Sequence, residues 1–461
     1  MTSKPQKAFE ARVLKTLFAA LAEQGLRYAV LRNYENLPEG IGARDIDIVL
    51  HPDDLVRACG VVTRIVARLS LHFGNCYADE RLTQFALVRR DDAGNLLQIK
   101  IDFFIRSEAY GVEVLSAEYM LTDTRQHNGI PVVSERVLVL DKWIFHLLVG
   151  QPLHPKYDQI FASIAQAQGQ EIERILRRFL SRRRAQSLVA ALAMGEGSKL
   201  PNIPRAERGH ALARLWARQG TIALSRSLRF AGFRLRDGLR PNGIFISVSG
   251  PDGSGKTTVI NLLLAQLGQI YGRNAINYRH FRPSLLPRIA EVARAAGAVE
   301  TVDTNYDRPH RSPPSGLAGS LLRTAYYCFD YLFGFLRSVH PDLVKRKIVL
   351  YDRYYYDMIA DPFRSRLSLP LSFLRAAGHF LPLPQHAFFL RVAPAEIYRR
   401  KQELTLEKII ELNARYEDLA KRDWMTLIDN NGAPKAAAAL IVDHIVAAQD
   451  RKARRNLRMD K

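Results

Sequence analysis

Cysteine is scarce in this sequence: three residues among 461, far apart and odd in number. Such spacing argues against a disulfide framework and against a cysteine-based zinc site, and it fits a reducing compartment. No stretch reaches roughly 18 uninterrupted apolar residues, so no membrane span is expected. The segment Met1–Glu10 has lysines but no apolar run like that of a signal peptide. These absences predict a cytoplasmic protein.

Acidic residues are also under-represented, with 46 Asp and Glu against 67 Lys and Arg and a net charge of +21. A surplus of this sign favours polyanionic neighbours: nucleotides, nucleic acid or an anionic membrane surface. Nine of the arginines lie in residues 201–240, which contain only two acidic residues. We interpret residues 156–240 as a helical basic connector. An anionic membrane surface is one open partner for it, which would place the protein peripherally at the inner membrane face.

The pattern of apolar segments changes at Ile244, where strand-like and helix-like stretches begin to alternate. The predicted strands cover residues 244–249, 348–351, 387–392 and 425–428. Apolar strands separated by helices predict a parallel sheet covered by helices on both faces. Since 461 residues exceed what one core usually serves, we expect an α/β domain at 241–461, preceded by a smaller α+β domain at 1–155.

Directly after the first of these strands, residues 250–257 read GPDGSGKT and match the phosphate-loop pattern G-x-x-x-x-G-K-[ST]. The glycines let backbone N–H groups point at phosphate oxygens, and the following helix adds its positive end. Lys256 can bridge the β- and γ-phosphates, and the Thr257 hydroxyl can ligate Mg²⁺. The sequence therefore predicts binding of ATP with Mg²⁺. The predicted nucleotide-binding residues are Gly250, Asp252, Gly253, Ser254, Gly255, Lys256, Thr257 and Thr258.

With Thr258 added, this loop resembles the G-x-D-G-x-G-K-[ST]-T loop of thymidylate kinases, and DRY at 352–354 resembles their D-R-[YF] motif. The resemblance implies that Asp252 lies near a sugar hydroxyl of the acceptor and that Arg353 grips the acceptor phosphate. Asp352 ends a predicted strand beside the loop, where its carboxylate can hold a water bound to Mg²⁺. A nucleotide and a small phosphorylated acceptor are therefore the expected partners.

Two further segments bear on the acceptor. EIYRRK at 396–401 resembles the lid of thymidylate kinases, whose arginines close over the transferring phosphates, which makes Arg399, Arg400 and Lys401 candidates for this role. After D-R-[YF] the family carries Ala-Tyr-Gln, which helps to hold thymine, but residues 355–364 read YYDMIADPFR here. This departure leaves an acceptor other than dTMP open. The chain looks closest to thymidylate kinase-like proteins associated with bacterial surface-polysaccharide genes, whose acceptors are often unassigned.

The amino-terminal domain has its own carboxylates. Asp45 and Asp47 are predicted on one face of a strand, and Asp102 on a second strand. Three carboxylates so placed can hold two Mg²⁺ ions and a nucleoside triphosphate. The pattern resembles polymerase-β type nucleotidyltransferases, with their D-x-D and a third aspartate. The Gly-Ser turn of that superfamily is replaced by LRNYEN at 31–36, so activity of this domain is left open.

Phosphoryl transfer from ATP to a nucleoside monophosphate is the function that these patterns favour. A kinase acting on a sugar or glycan intermediate is one alternative, and a nucleotide-binding scaffold without catalysis is another. No recognition module for nucleic acid can be identified, so no specific nucleic-acid partner is expected. Assembly as a homodimer is left open.

Overall fold

The computed structural model describes residues 3–41, 45–200, 203–280 and 316–459. The chain forms two compact units, Met1–Leu235 with Val446–Lys461, and Arg236–Ile445. We call them the amino-terminal unit and the phosphate-loop unit. This division differs from the predicted boundaries, because most of the expected connector, 156–240, belongs to the amino-terminal unit.

The strands and helices that begin in the amino-terminal unit alternate irregularly. The strands are β1 (Tyr28–Arg32), β2 (Ile46–Leu50), β3 (His72–Ala78), β4 (Leu82–Arg90), β5 (Leu96–Phe104), β6 (Arg106–Ala109), β7 (Val112–Ser116), β8 (Thr124–His127) and β9 (Ile130–Val133). The helices are α1 (Lys4–Glu23), α2 (Leu55–Arg68), α3 (Ala117–Leu121), α4 (Glu135–Val149), α5 (Asp158–Leu176), α6 (Arg182–Ala193), α7 (Arg205–Gln219) and α8 (Thr221–Leu239).

Seven of these strands form one mixed sheet in the order β3-β4-β5-β2-β1-β9-β8. Strand β2 runs parallel to β5, and β1 runs parallel to β9. Residues on β1 alternate between two cores: Ala29 and Leu31 face one, and Val30 faces the other. Because successive side chains of a strand point to opposite faces, the sheet is covered on both sides. The predicted α+β architecture of this part is thus observed.

Helices α5 and α6 are part of this fold. Phe161 and Ile164 of α5 and Leu188 of α6 are buried in the same core as Trp143 of α4 and Leu31 of β1. Their apolar residues recur at helical spacing, so one face of each helix enters the core. The predicted connector included these two helices, but the spacing of their apolar residues places them in the core.

The phosphate-loop unit has regular alternation. Its strands are β10 (Ile244–Ser249), β11 (Ile276–His280), β12 (Ile348–Asp352), β13 (His386–Arg391) and β14 (Thr426–Asp429). The helices that follow α8 are α9 (Lys256–Tyr271), α10 (Leu317–Gly334), α11 (His340–Val344), α12 (Tyr355–Ala360), α13 (Leu371–Gly378), α14 (Pro394–Arg400), α15 (Leu406–Lys421) and α16 (Pro434–Met459).

The five strands form a sheet in the order β11-β12-β10-β13-β14, and every neighbouring pair is parallel. Phe245 and Val349 pack in one core with residues of α12 and α15, while Ile246 and Leu350, their neighbours along the strands, are equally buried. A sheet buried on both faces confirms the predicted parallel α/β fold. The carboxyl ends of β10 and β12 meet at one edge, where the phosphate loop begins.

Helix starts in both units use side-chain caps. A serine or threonine hydroxyl accepts a hydrogen bond from a backbone N–H of the first turn, which satisfies one of the donors that a helix leaves unpaired. The capping residues of α1, α3, α4, α6 and α15 are Ser3, Ser116, Ser134, Ser181 and Thr405. Among the residues described, no helix is long and apolar enough to cross a membrane.

The placement of α5 in the core can be tested with two neighbouring residues. Phe161 is fully buried and Ile160 is exposed. We expect Phe161→Ala to lower the free energy of unfolding of the amino-terminal unit by about 3–5 kcal/mol, because it leaves a large cavity. Ile160→Ala should change it by only about 0.5 kcal/mol. Hydrogen exchange of β2 and β5 across a urea series reports this stability, and equal values for both variants would contradict the shared core.

Candidate functional site

The phosphate loop connects the end of β10 to the start of α9, as the sequence predicted. Gly255 has a φ of 80°, in the left-handed region that side chains disfavour. At Gly250 a Cβ atom would lie 2.9 Å from the Ser254 hydroxyl oxygen and 3.1 Å from the Leu390 carbonyl oxygen. Only glycine fits so close a turn, and the result is a loop whose backbone curls in front of the helix amino terminus.

Lys256, the first residue of α9, folds back over this loop. Its Nζ donates to the carbonyl oxygens of Gly250 at 2.9 Å and Pro251 at 2.8 Å, and lies 3.7 Å from the Asp252 carboxylate. Burial lowers the pKa of Lys256 to about 8, with the Arg353 charge acting in the same direction. An ammonium group with a lowered pKa loses its proton more readily. An anionic ligand would stabilise its charge more strongly than the two carbonyl oxygens do.

A cavity of about 640 Å³ opens at the loop within the phosphate-loop unit. Most of the predicted site residues line it, namely Asp252, Gly253, Gly255, Lys256, Thr257, Thr258, Asp352, Arg353 and Arg400. Ser254 is buried inside the loop, and its hydroxyl has no hydrogen-bond partner in the part of the chain described. The volume and polar lining suit a ligand of nucleotide size.

Asp252 lies between two guanidinium groups. Arg353 contacts one of its carboxylate oxygens, and Arg364 Nη1 donates to the other at 2.7 Å. Burial alone would raise the pKa of Asp252, but the charges of Arg353, Lys256 and Arg364 outweigh this effect and hold it well below its usual range. The carboxylate is therefore ionised, and it positions both arginines at the cavity.

Arg353 is itself almost completely buried and has a φ of 72°, which is uncommon for a residue with a side chain. Its second partner is Asp357 on α12, 3.4 Å from Nη1. Asp357 also accepts hydrogen bonds from the Ser249 hydroxyl at 2.6 Å and the Tyr416 hydroxyl at 2.7 Å. Although burial lowers the pKa of Arg353, the carboxylates of Asp357 and Asp252 outweigh this effect and keep it above its usual value.

Asp352, at the end of β12, has the features expected of a ligand for hydrated Mg²⁺. One of its oxygens lies 3.4 Å from His280 Nδ1, while Oδ1 is buried without a hydrogen-bond partner among the described residues. Thr257 lines the same cavity. No group of three or more His, Cys, Asp or Glu side chains that could hold a metal exists in the described ranges. A Mg²⁺ ion here would therefore take its other ligands from water and phosphate, as this ion commonly does.

The predicted lid arginines separate into two environments. Glu396 pairs with Arg399 and with Arg400, each at 2.8 Å. Arg400 reaches the loop, with Nη1 3.4 Å from the Gly253 carbonyl oxygen, and Lys401 also lines the cavity. Arg399 is 76% exposed and is not among the described residues that line the cavity. Adjacent helix positions differ by about 100°, so the structure brings Arg400 but not Arg399 to the site.

Asn430 and Arg364 are two of the cavity residues that the sequence analysis did not identify. Asn430 donates to the Ser254 carbonyl oxygen at 2.8 Å and thereby fixes the back of the loop. It directly follows β14, and a polar residue at the carboxyl end of a parallel strand was the signal that could have identified it. Arg364 lies in the short 3₁₀ helix Pro362–Ser365. No motif marks it, because its role depends on how the segment after α12 folds back to Asp252.

Of the three amino-terminal aspartates, two are paired on the sheet, and the charge of Asp45 acts on both of them. Asp47 and Asp102 are register partners on the parallel strands β2 and β5, whereas Asp45 precedes β2 and lies outside this ladder. Arg32 Nε lies 2.6 Å from Asp47, and Gln84 donates to both oxygens of Asp102 at 2.9 Å. Burial raises the pKa of Asp47 to about 6 and that of Asp102 to about 7. In the described structure these carboxylates have protein partners and form no three-residue metal group.

A strand, glycine loop and helix over a parallel sheet define a phosphate-loop nucleotide-binding fold in the second unit. Part of the chain is similar to thymidylate kinases from Xanthomonas campestris pv. campestris strains B100, 8004 and ATCC 33913. Each is 28% identical over 156 residues, which are 34% of this chain and 59% of the relative. The similarity thus spans less than two thirds of these enzymes.

Among solved structures, thymidylate kinase from Ehrlichia chaffeensis is similar to part of this chain, with 21% identity and a TM-score of 0.31. The match covers 45% of this chain and all of that one. No protein-family profile matches the chain.

Proton uptake on ATP binding would test the environment of Lys256. The lysine has a pKa of about 8 without a ligand, and a nearby triphosphate is expected to raise it. At about pH 8.5 part of the lysine is neutral before binding and charged afterwards, so ATP binding should take up protons. Calorimetric titrations in two buffers that differ in protonation enthalpy measure this uptake. Lys256→Met should remove the difference, and equal heats for the unaltered protein in both buffers would contradict the prediction.

Proposed function

We propose that the phosphate-loop unit transfers the γ-phosphoryl group of ATP to the phosphate of a small acceptor, with a nucleoside monophosphate as the first class. The observation that carries this proposal is the pair Arg353 and Arg364, held by Asp252 in the same cavity as Lys256. Two guanidinium groups that converge on one carboxylate offer donors of the geometry that a phosphate requires. The partial similarity to thymidylate kinases supports the same class of acceptor.

ATP and Mg²⁺ fit the residues present. The backbone of residues 250–258 and Lys256 would hold the triphosphate, and Thr257 and Asp352 would hold Mg²⁺, directly and through water. The ion supplies charge neutralisation at the phosphates. Because an acceptor phosphate oxygen is already a nucleophile, the chain has to position it and stabilise charge rather than supply a general base.

The position of Asp252 suggests how the acceptor is bound. An incoming phosphate dianion competes for Arg353 and Arg364, and it gains two guanidinium groups that are already oriented. Asp252 is then released to accept a hydrogen bond from a hydroxyl of the acceptor sugar, the role that the resemblance to thymidylate kinases implies. Asp357 keeps Arg353 in place throughout, because Ser249 and Tyr416 fix its carboxylate.

A phosphorylated sugar or glycan intermediate is the second candidate acceptor. Arg364 belongs to the segment that stands where thymidylate kinases carry the thymine-holding Ala-Tyr-Gln, and it contributes a charge at the cavity. A charged side chain in that place favours an acceptor with more anionic and hydroxyl groups than a pyrimidine base.

The test is ADP formation by the full chain with Mg²⁺ and a panel of acceptors: dTMP, dUMP, the other nucleoside monophosphates, sugar phosphates and free sugars. One monophosphate should raise turnover at least about tenfold above the rate without acceptor, and Lys256→Ala should abolish the increase. If sugar phosphates alone raise turnover, the second candidate replaces the first. Slow hydrolysis that no acceptor changes would reject the transferase and favour a nucleotide-binding scaffold.

The two arginines at the end of α14 provide a matched pair. Both bind Glu396, but only Arg400 reaches the cavity. We expect Arg400→Ala to lower kcat about 100-fold, because it removes a charge positioned near the transferring group. Arg399→Ala loses the same kind of ion pair and should keep kcat within about twofold. Steady-state kinetics at saturating ATP and acceptor measure both, and equal effects would exclude Arg400 from a specific role.

A further inference from the structure

Helix α8 is attached to the amino-terminal unit by one face only. The Phe233 ring packs edge-on against Tyr77 at 5.9 Å, and Arg226 pairs with Glu113 at 3.0 Å. Phe230 lies so close to Gly111 that a Cβ atom there would be 3.0 Å from it. These contacts fix the rotation of the helix over residues 221–235 and decide which side chains point outward.

The outward face of this segment is apolar. Leu224, Leu228 and Leu235 are 49%, 65% and 65% exposed, and Ala231 between them is exposed as well. Spacings of four and seven residues place the three leucines on one side of a helix. We call these three residues the leucine stripe. Leucines do not have to be there for the helix to form, and a contiguous exposed apolar surface of this kind usually marks an interaction site.

Arginines border the leucine stripe. At about 100° per residue, Arg234 lies about 100° from its centre on one side and Arg229 about 120° on the other. Arg229 is also part of the attachment to the amino-terminal unit, because its Nη1 lies 3.6 Å from Glu80. Residues 221–235 contain no acidic side chain, and α7 before them has four arginines and one glutamate. An apolar strip bordered by basic residues is the arrangement of helices that lie in the surface of an anionic membrane.

We propose that residues 221–235 dock onto a bilayer that carries anionic phospholipids, with the leucine stripe at the headgroup boundary and Arg234 on lipid phosphates. Charge complementarity favours this occupant. A second copy of the chain would bring arginines against arginines in a protein of net charge +21. A nucleic acid would match the arginines but leave the leucines in water. This inference is independent of the proposed phosphoryl transfer.

Vesicle co-sedimentation of the full chain tests the proposal. Vesicles of phosphatidylcholine mixed with phosphatidylglycerol should bind the protein, and vesicles of phosphatidylcholine alone should not. Leu228→Ser with Leu235→Ser should weaken binding at least about tenfold, because two buried leucines are lost. Arg234→Gln should weaken it about fivefold and reduce its sensitivity to salt. Val56→Ser, at a valine of α2 that is 61% exposed, is the matched control and should bind normally.

Three results would overturn the proposal. The first is no binding to anionic vesicles. The second is equal binding of the unaltered protein and the double leucine variant to anionic vesicles, which would indicate that charge alone attracts the protein to a polyanion. Binding of both proteins to RNA would then identify nucleic acid as that polyanion. The third is a change of oligomeric state in the double leucine variant, measured by light scattering, which would indicate that the leucine stripe joins two copies of the chain.

Discussion

Arg353 carries a positive charge in an almost completely buried position, and such a charge is tolerated only when carboxylates surround it. Asp252 on the phosphate loop and Asp357 on α12 fulfil this need, and Asp357 is fixed by Ser249 at the end of β10 and Tyr416 on α15. One guanidinium therefore ties the loop, two strand ends and two helices together. The left-handed backbone conformation of Arg353 is tolerated because these partners hold the residue in place.

The parts of the structure with a local cause were predictable. The ends of strands β10, β12, β13 and β14 lie within one residue of their predicted positions. A short apolar run predicts a strand whose ends coincide with the ends of the run. The loop at 250–258 and the start of α9 follow from glycine spacing. Arg353 and Asp252 were identified through their motifs, and the structure adds that they are partners of each other.

Other features depend on contacts between segments that are distant in sequence. Arg364 is 112 positions from Asp252 in the sequence, and no spacing rule predicts their contact. The sequence does not distinguish Arg399 from Arg400. Only the orientation of α14 about its axis places Arg400, and not Arg399, at the cavity. Residues 156–240 were predicted as a connector with the arginine-rich composition of residues 201–240 in view, yet Phe161 and Leu188 join a core with α4. Composition describes the surface of such helices, whereas periodicity describes how they pack.

The cavity is proposed to transfer a phosphoryl group to an acceptor phosphate instead of releasing it to water. Phosphorus NMR of the full chain with ATP, Mg²⁺ and the acceptor that stimulates turnover measures this directly. A new diphosphate signal should grow in equal amount with ADP, and Arg353→Ala should abolish it. If inorganic phosphate grows with ADP and no new diphosphate forms with any acceptor, the claim is wrong and the site hydrolyses ATP.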